Sequence, residues 1–292
     1  MKKGKQNSKL KRFYSFSFSM KFFTLRHWLL VKNYSKNLKK SGFDFSRANN
    51  VHSNFFLHII YRISDKGNPK PKLKSKEECL KNCLSVFHPF LQQLDFTIVC
   101  NETNSETNVF VQNLVLAFGL KQDCIKIVHL KTNQDSFFYC LDLLDDFQGS
   151  DYVYFVEDDY FHSKDSFTAL KEAFLTLPIK PDYVSLTDQP NWYSQKTFES
   201  YKSFANSNIF LSQSSHWRTV NSFTTEFASR VETIREDQKY FRKWGGKIGS
   251  WDYYSFCDLQ FFHKRILVSP LPSLATHCDL DNLSPFISFT NE

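Results

Sequence analysis

Four short runs of apolar, aromatic and β-branched residues, separated by segments of helical period, constrain this chain more than any other feature. Residues 54–63 (NFFLHIIYRI), 96–100 (FTIVC), 124–130 (CIKIVHL) and 152–156 (YVYFV) are continuous rather than alternating, the pattern of strands buried on both faces. Between them, 76–93 carries Leu80, Cys83, Leu84 and Phe87 at helical spacing. Residues 109–118 form a second helical stretch, and 136–147 a third with Leu141, Leu144 and Phe147 on one side. The first run stops at a turn cluster, Ser64-Asp65-Lys66-Gly67-Asn68-Pro69. Strand and helix alternating at this spacing predict βαβ units, hence an α/β fold with a mainly parallel central sheet flanked by helices. Ligands of such sheets sit beyond the carboxyl ends of the strands. That rule gathers Arg62, Ser64 and Asp65, then Asn101, then His129, then Glu157 to Asp159 around one crevice. The first half contains neither GxGxxG nor GxxxxGK[ST], so neither a dinucleotide fingerprint nor a P-loop explains it.

Composition supports a packed domain: 41% of the 292 residues are hydrophobic and 23% charged, which excludes disordered and collagen-like chains. With 32 Phe, the core is expected to be built from rings. The net charge of +7 is uneven, because residues 1–40 hold twelve Lys or Arg and no acid, leaving an acidic body. Residues 1–50 therefore read as a basic arm and 51–292 as the folded domain. The arm fits a solvated tail or a contact with an anionic membrane surface; the acidic body makes nucleic acid an unexpected partner. No stretch approaches the ~20 apolar residues of a membrane span, since 22–31 is short and interrupted by Arg26 and His27. Seven cysteines without CxxC spacing suit reduced core thiols and a cytoplasmic protein, peripheral at a membrane if the arm binds one. One or two disulfides in a secretory lumen form the counter-reading.

Chemistry concentrates where the fourth run meets Glu157-Asp158-Asp159. Three adjacent carboxylates at the end of a buried strand repel one another and cost desolvation energy unless a cation neutralises them. Mn²⁺ or Mg²⁺ suits carboxylate oxygens and can hold diphosphate oxygens in its remaining positions. The plain alternative is a cap, with Asp158 or Asp159 opening the helix expected near 166–175.

YVYFVEDD at 152–159 resembles the DxD-type motif of the GT-A fold nucleotide-sugar glycosyltransferases, in a family 2-like EDD form, which likewise follows an apolar strand in the same order of elements. The resemblance implies a GT-A (Rossmann-like) fold, with residues 51–160 as the nucleotide-sugar half and 161–292 as a C-terminal acceptor-side subregion. It implies that Asp159 binds the metal, that Glu157 and Asp158 contact ribose or donor sugar, and that Arg62, Ser64, Asp65 and Asn101 (with Glu102) hold base and ribose. Several GT-A enzymes also place a late His on the metal, and His277 is similarly positioned. The glycine loop expected before the EDD helix is replaced by Asn133, Gln134 and Ser136.

Downstream, Gly245-Gly246-Lys247-Ile248-Gly249-Ser250 leads into Trp251-Asp252, similar to the Trp-Asp pair of EDD-type N-acetylglucosaminyltransferases, whose Asp acts as base. Rings beside Asp252 lower local polarity and raise its pKa toward a working base; an N-cap is the alternative, and Glu226 and Asp188 are rival bases. Asp188, Trp192 and Trp251 are expected at the acceptor, and Arg218 at the diphosphate or on a carboxylate. The implied activity is metal-dependent transfer of a hexosyl or N-acetylhexosaminyl group from a nucleotide-diphosphate sugar to a glycan, lipid-linked or protein acceptor, inverting if Asp252 is the base. Clustered carboxylates also suit a nucleotidyltransferase or a metal-dependent phosphoesterase, and a sheet-based binding protein with EDD as a cap is the non-catalytic alternative.

Overall fold

The computed structural model describes residues 42–52, 54–66, 72–190, 193, 207–245 and 251–285. Residues 1–41, Trp192 and 246–250 of the glycine loop lie outside these, so the arm and that loop are known here only by sequence. The protein is a three-layered α/β domain around a nine-stranded sheet. In chain order the strands are β1 (Leu57–Ser64), β2 (Leu94–Asn101), β3 (Ile125–Val128), β4 (Tyr152–Glu157), β5 (Tyr160–His162), β6 (Tyr183–Val184), β7 (Ile209–Leu211), β8 (His216–Thr219), β9 (Phe227–Arg230), β10 (Leu267–Leu271) and β11 (Ala275–His277). The large sheet runs β3-β2-β1-β4-β9-β6-β10-β8-β7, and β5 pairs with β11 apart from it.

The first half is wholly parallel: β1 pairs with β2 and with β4, and β2 with β3. The second half alternates, with β9 antiparallel to both neighbours, β6 parallel to β10, and β7 and β8 antiparallel. The expected mainly parallel sheet is thus a parallel half joined to a mixed one. Part of the reason lies in the connections, because β7 and β8 are joined by residues 212–215 alone, a link short enough only for an antiparallel pair.

Among the described residues six α-helices cover the two faces: α1 (Lys76–Phe87), α2 (Ser105–Ala117), α3 (Asn133–Asp142), α4 (Ser166–Thr176), α5 (Val231–Trp244) and α6 (Trp251–His263). Strand side chains alternate between faces, so Tyr152, Tyr154 and Val156 of β4 meet α1, α2 and α4, whereas Val153 and Phe155 meet α3, α5 and α6. The continuous apolar runs follow from this double burial. The second face is packed by rings: Phe227 stacks on Phe241 at 5.7 Å and meets Phe256 edge-on at 5.2 Å.

Boundaries shift where capping residues act. Ser75 and Glu78 close a capping box on α1, which ends at Phe87 because Pro89 follows, rather than running to residue 93. Thr132 and Asp135 start α3 three residues earlier than the apolar period suggests. The cap reading of EDD is overturned: Asp165 occupies the N-cap position of α4, and Asp158 and Asp159 lead into β5 instead.

Candidate active site

Strand order reverses between β1 and β4, since β2 and β3 lie on one side of β1 and β4 on the other. Such a switch point opens a crevice at the carboxyl ends of the strands. A cleft occupies it, lined by Arg62, Ser64, Lys66, Asn101, Lys131, Asn133, Ser136, Glu157 and Asp158 among others. The parallel register places Arg62 directly opposite Glu157. The buried guanidinium donates from Nη2 to Glu157 Oε1 and from Nη1 to the backbone and side-chain oxygens of Asn133 at 3.1 and 3.0 Å. Thr225 donates its hydroxyl to the other Glu157 oxygen. Burial pushes the Glu157 carboxyl up, but Arg62 and Thr225 outweigh it and hold the pKa below its usual value.

Asp158 accepts from the backbone N of Ser64 at 2.9 Å, tying β4 to β1. Burial and then the neighbouring Asp159 push its pKa up to about 7. Asp159 meets two positive or proton-bearing groups at one oxygen: Lys72 Nζ and His277 Nε2 both lie 3.3 Å from Oδ2. Its Oδ1 is buried with no hydrogen-bond partner, a costly state for a carboxylate oxygen unless a cation occupies the space. That oxygen is one ligand of the kind a hard divalent ion takes, and the rest of such a shell would fall to phosphate oxygens or water. Among the described residues no three His, Cys, Asp or Glu converge as a preformed cage. His277 is held edge-on by Tyr160, with ring centroids 5.2 Å apart, and its Nδ1 accepts from Asp279 N at 3.0 Å. That bond leaves the imidazole proton on Nε2, facing Asp159. His277 is thus turned as a donor to the carboxylate, and serves a metal only if Asp279 N releases Nδ1.

The remaining expected residues divide into three groups. Asn101 lines the cleft, its amide clasping Leu130 through N–H donation from Leu130 at 2.8 Å. Asp65 turns away from the cleft to organise α2, accepting from Asn104 N at 2.6 Å, Thr107 Oγ1 at 3.0 Å and the Lys76 ammonium. His129 lies out on the surface, 3.4 Å from Glu102.

Asp252 stands in the first turn of α6, its carboxylate accepting from Tyr253 N at 2.8 Å. Burial pushes its pKa up to about 6, and the Glu157 charge contributes to the rise. Trp251 is 6% exposed, packed 5.0 Å from Phe137. Its ring belongs to the core beneath the site.

Arg218 and Asp188 form a separate cluster. Their buried ion pair is joined by Tyr193, whose hydroxyl donates to Asp188 at 2.5 Å while its ring lies 5.1 Å beneath the guanidinium. Asp188 follows β6, which runs parallel to β4, so the cluster shares the carboxyl edge of the sheet with the crevice but sits beyond β9. Glu226 is fully buried and saturated, accepting from Tyr154 OH at 2.6 Å, Ser185 Oγ at 2.5 Å and Leu186 N at 3.0 Å. Burial pushes its pKa up to about 7.

Sequence reasoning missed Lys72, Thr225 and Lys131. No local pattern marks them, because Lys72 sits 87 positions from Asp159 and Thr225 sits 68 from Glu157.

No protein-family model matches the chain, and no curated protein matches it either. Among solved structures it is similar to 4-diphosphocytidyl-2C-methyl-D-erythritol synthase from Anaerococcus prevotii, with 14% identity and a TM-score of 0.44 over 75% of this chain and 90% of that one. A mannosyltransferase from Pyrobaculum calidifontis, solved with GDP-Man and Mn²⁺, is similar at 13% identity and a TM-score of 0.45, over 85% of this chain and 64% of that one. A galactosyltransferase in complex with donor and acceptor sugar analogues is similar at 9% identity and a TM-score of 0.41, over 70% of each chain. These likenesses are of chain path, and the reading of the site rests on its own geometry.

Proposed function

We propose that the protein is a GT-A-type glycosyltransferase that moves a sugar from a nucleotide-diphosphate donor to a glycan, lipid-linked or protein acceptor. One observation carries the reading: the Glu157-Asp158-Asp159 triad ends β4 at the switch point of the sheet, with a buried, unpartnered oxygen on Asp159. A bound Mn²⁺ or Mg²⁺ would neutralise the diphosphate as it leaves. Asp159 would hold that ion, while Arg62, Thr225 and Asn133 fix Glu157 as an ionised acceptor for donor hydroxyls. Asp158 is locked to Ser64 and so keeps β1 and β4 in register under the donor. Lys131 and Lys66, the latter ion-paired with Glu102, line the cleft wall.

Asp252 takes the proton of the acceptor hydroxyl as that oxygen bonds to the anomeric carbon and the bond to the diphosphate breaks, so the anomeric configuration inverts. A carboxyl pushed up to about 6 is still ionised at neutral pH, yet more basic than an ordinary Asp. The Arg218–Asp188–Tyr193 cluster stands farther along the same edge, where it would border the acceptor.

Titration calorimetry with a panel of nucleotide sugars, with and without Mn²⁺, tests the donor site. Metal-dependent binding that vanishes in Asp159→Ala is the expected result, and unchanged binding in that variant removes the metal assignment. Asp252→Asn should keep donor affinity and lose turnover by roughly 10²–10⁴-fold; near-normal turnover removes it as base. Lys66 and Lys131 at the cleft favour one second reading, a nucleotidyltransferase that grips a triphosphate. Release of pyrophosphate from a nucleoside triphosphate, rather than of a nucleoside diphosphate from a sugar donor, would establish it.

A further inference from the structure

Eleven large hydrophobic side chains are exposed among the described residues, and four of them, Phe43, Phe45, Ile209 and Leu211, meet at one place. Scattered apolar side chains are ordinary on a protein surface, whereas a contiguous cluster marks a contact surface. These four rim a trough of about 540 Å³, floored by Phe210 and Pro178 and lined by no charged side chain.

The trough is built rather than incidental. Asp44 N donates to Pro178 O at 2.8 Å, and Arg47 Nη2 donates to Phe174 O at 2.6 Å, which fastens the Phe45–His52 3-10 helix to the end of α4. Phe43 lies 6.0 Å from Phe210, yet Phe45 remains 76% exposed. On the other wall, Ile209 and Leu211 project from β7, the edge strand of the sheet, each 63% exposed.

What covers the trough is indicated by the sequence that precedes Phe43. Residues 1–40, which end three positions before Phe43, carry twelve Lys or Arg and no acid, interleaved with Phe13, Tyr14, Phe16, Phe18, Phe22, Phe23, Trp28 and Tyr34. Apolar rings beside dense positive charge match the headgroup and acyl boundary of an anionic bilayer, where burial and attraction to acidic lipid act together. A protein partner would have to bring an acidic surface around an apolar plug; a lipid surface offers both at once. We infer that the Phe43, Phe45, Ile209 and Leu211 trough is a docking surface for an anionic lipid membrane, held down by the basic arm. Catalysis is not required for this inference.

The test is co-sedimentation of the full chain with vesicles of phosphatidylcholine alone, and with vesicles of equal phosphatidylcholine and phosphatidylglycerol. Partition onto the anionic vesicles only, weakened by salt, is expected. The triple variant F45S, I209S, L211S should lose at least about tenfold of that partition while keeping the far-ultraviolet dichroism of the parent. Because β7 belongs to the sheet, F45S alone, on the 3-10 helix, serves as the control if the triple variant unfolds, and should also bind more weakly. Unchanged partition in a folded F45S variant overturns the proposal, as does equal binding to neutral vesicles. A parent that dimerises through the trough and ignores both vesicles overturns it too, assigning the surface to a second copy.

Discussion

Glu226→Gln should make the protein more stable above neutral pH and leave it little changed in mild acid. Burial pushes the Glu226 carboxyl from its ordinary 4.5 up to about 7. Below pH 4.5 folded and unfolded chains both hold the proton, and the group has no effect on the difference. Between pH 4.5 and 7 the folded state binds the proton that the unfolded state has lost, so stability falls as pH rises. At about 1.36 kcal/mol per pH unit the accumulated cost is about 3 kcal/mol by pH 8, and under about 1 kcal/mol at pH 5. Glutamine carries no such cost and preserves the local bonding: its carbonyl accepts from Tyr154 OH and Leu186 N, as Oε1 does now. Its amide N–H₂ would face Ser185 Oγ, a hydroxyl that already accepts from Thr187 N at 3.0 Å and can rotate to accept again. Other carboxylates contribute opposite slopes, Glu157 among them with its lowered pKa, so the informative quantity is the variant minus the parent. Urea denaturation at pH 5, 6, 7 and 8 measures it. The variant should gain on the parent with each step, toward about 3 kcal/mol at pH 8. Parallel pH profiles, or a variant weaker than the parent at pH 8, would refute the claim that Glu226 is buried at a cost. Turnover should survive, since the Glu226 carboxyl is committed to the core.

Two further outcomes follow from packing. Phe227→Ala removes a ring that touches Phe137, Phe155, Tyr183, Phe241 and Phe256, and should cost about 3–5 kcal/mol in chemical denaturation; a loss under about 1 kcal/mol would mean the ring cluster repacks freely. All seven cysteines are free thiols, and burial pushes Cys100, Cys140 and Cys257 up to about 12, so an aromatic disulfide reagent at pH 8 should react at least about 100-fold slower with native than with unfolded protein. Cys124, half-buried and pushed only to about 11, should react first.

Legibility from the sequence tracked how burial was achieved. The strands β1, β2 and β4 are covered by helices on both faces, so their residues had to be apolar without interruption, and the runs were plain to read. The short strands β7, β8 and β9 have three or four residues each, too few to display a period, and β9 enters between β4 and β6 through pairing that no local pattern announces. Local reasoning also erred where a cap and an apolar period disagreed, as at Thr132, because a side-chain hydrogen bond to a backbone N–H starts a helix whatever the hydrophobic spacing.

The site divides along the same line. Three carboxylates at a strand end dictated that compensating groups must exist, but Lys72 and Thr225 arrive from loops far away in sequence, and the chain gave no local sign of them. Arg62 is different. Pairing two buried parallel strands by their apolar runs aligns Leu57 with Tyr152 and, counting forward, Arg62 with Glu157. The one cation inside the first run therefore lies opposite the first acid after the fourth once the observed register is known. A charge embedded in an otherwise apolar strand is expensive unless its neighbour in register carries the opposite sign, so an arginine in one central strand is itself a prediction about the residue facing it in the next. Exchanging the two residues, Arg62→Glu with Glu157→Arg, should then retain the fold better than either single change, measured as a positive coupling in thermal denaturation. Additive losses would show that Arg62 is held chiefly by Asn133, and that the register argument does not carry the pair.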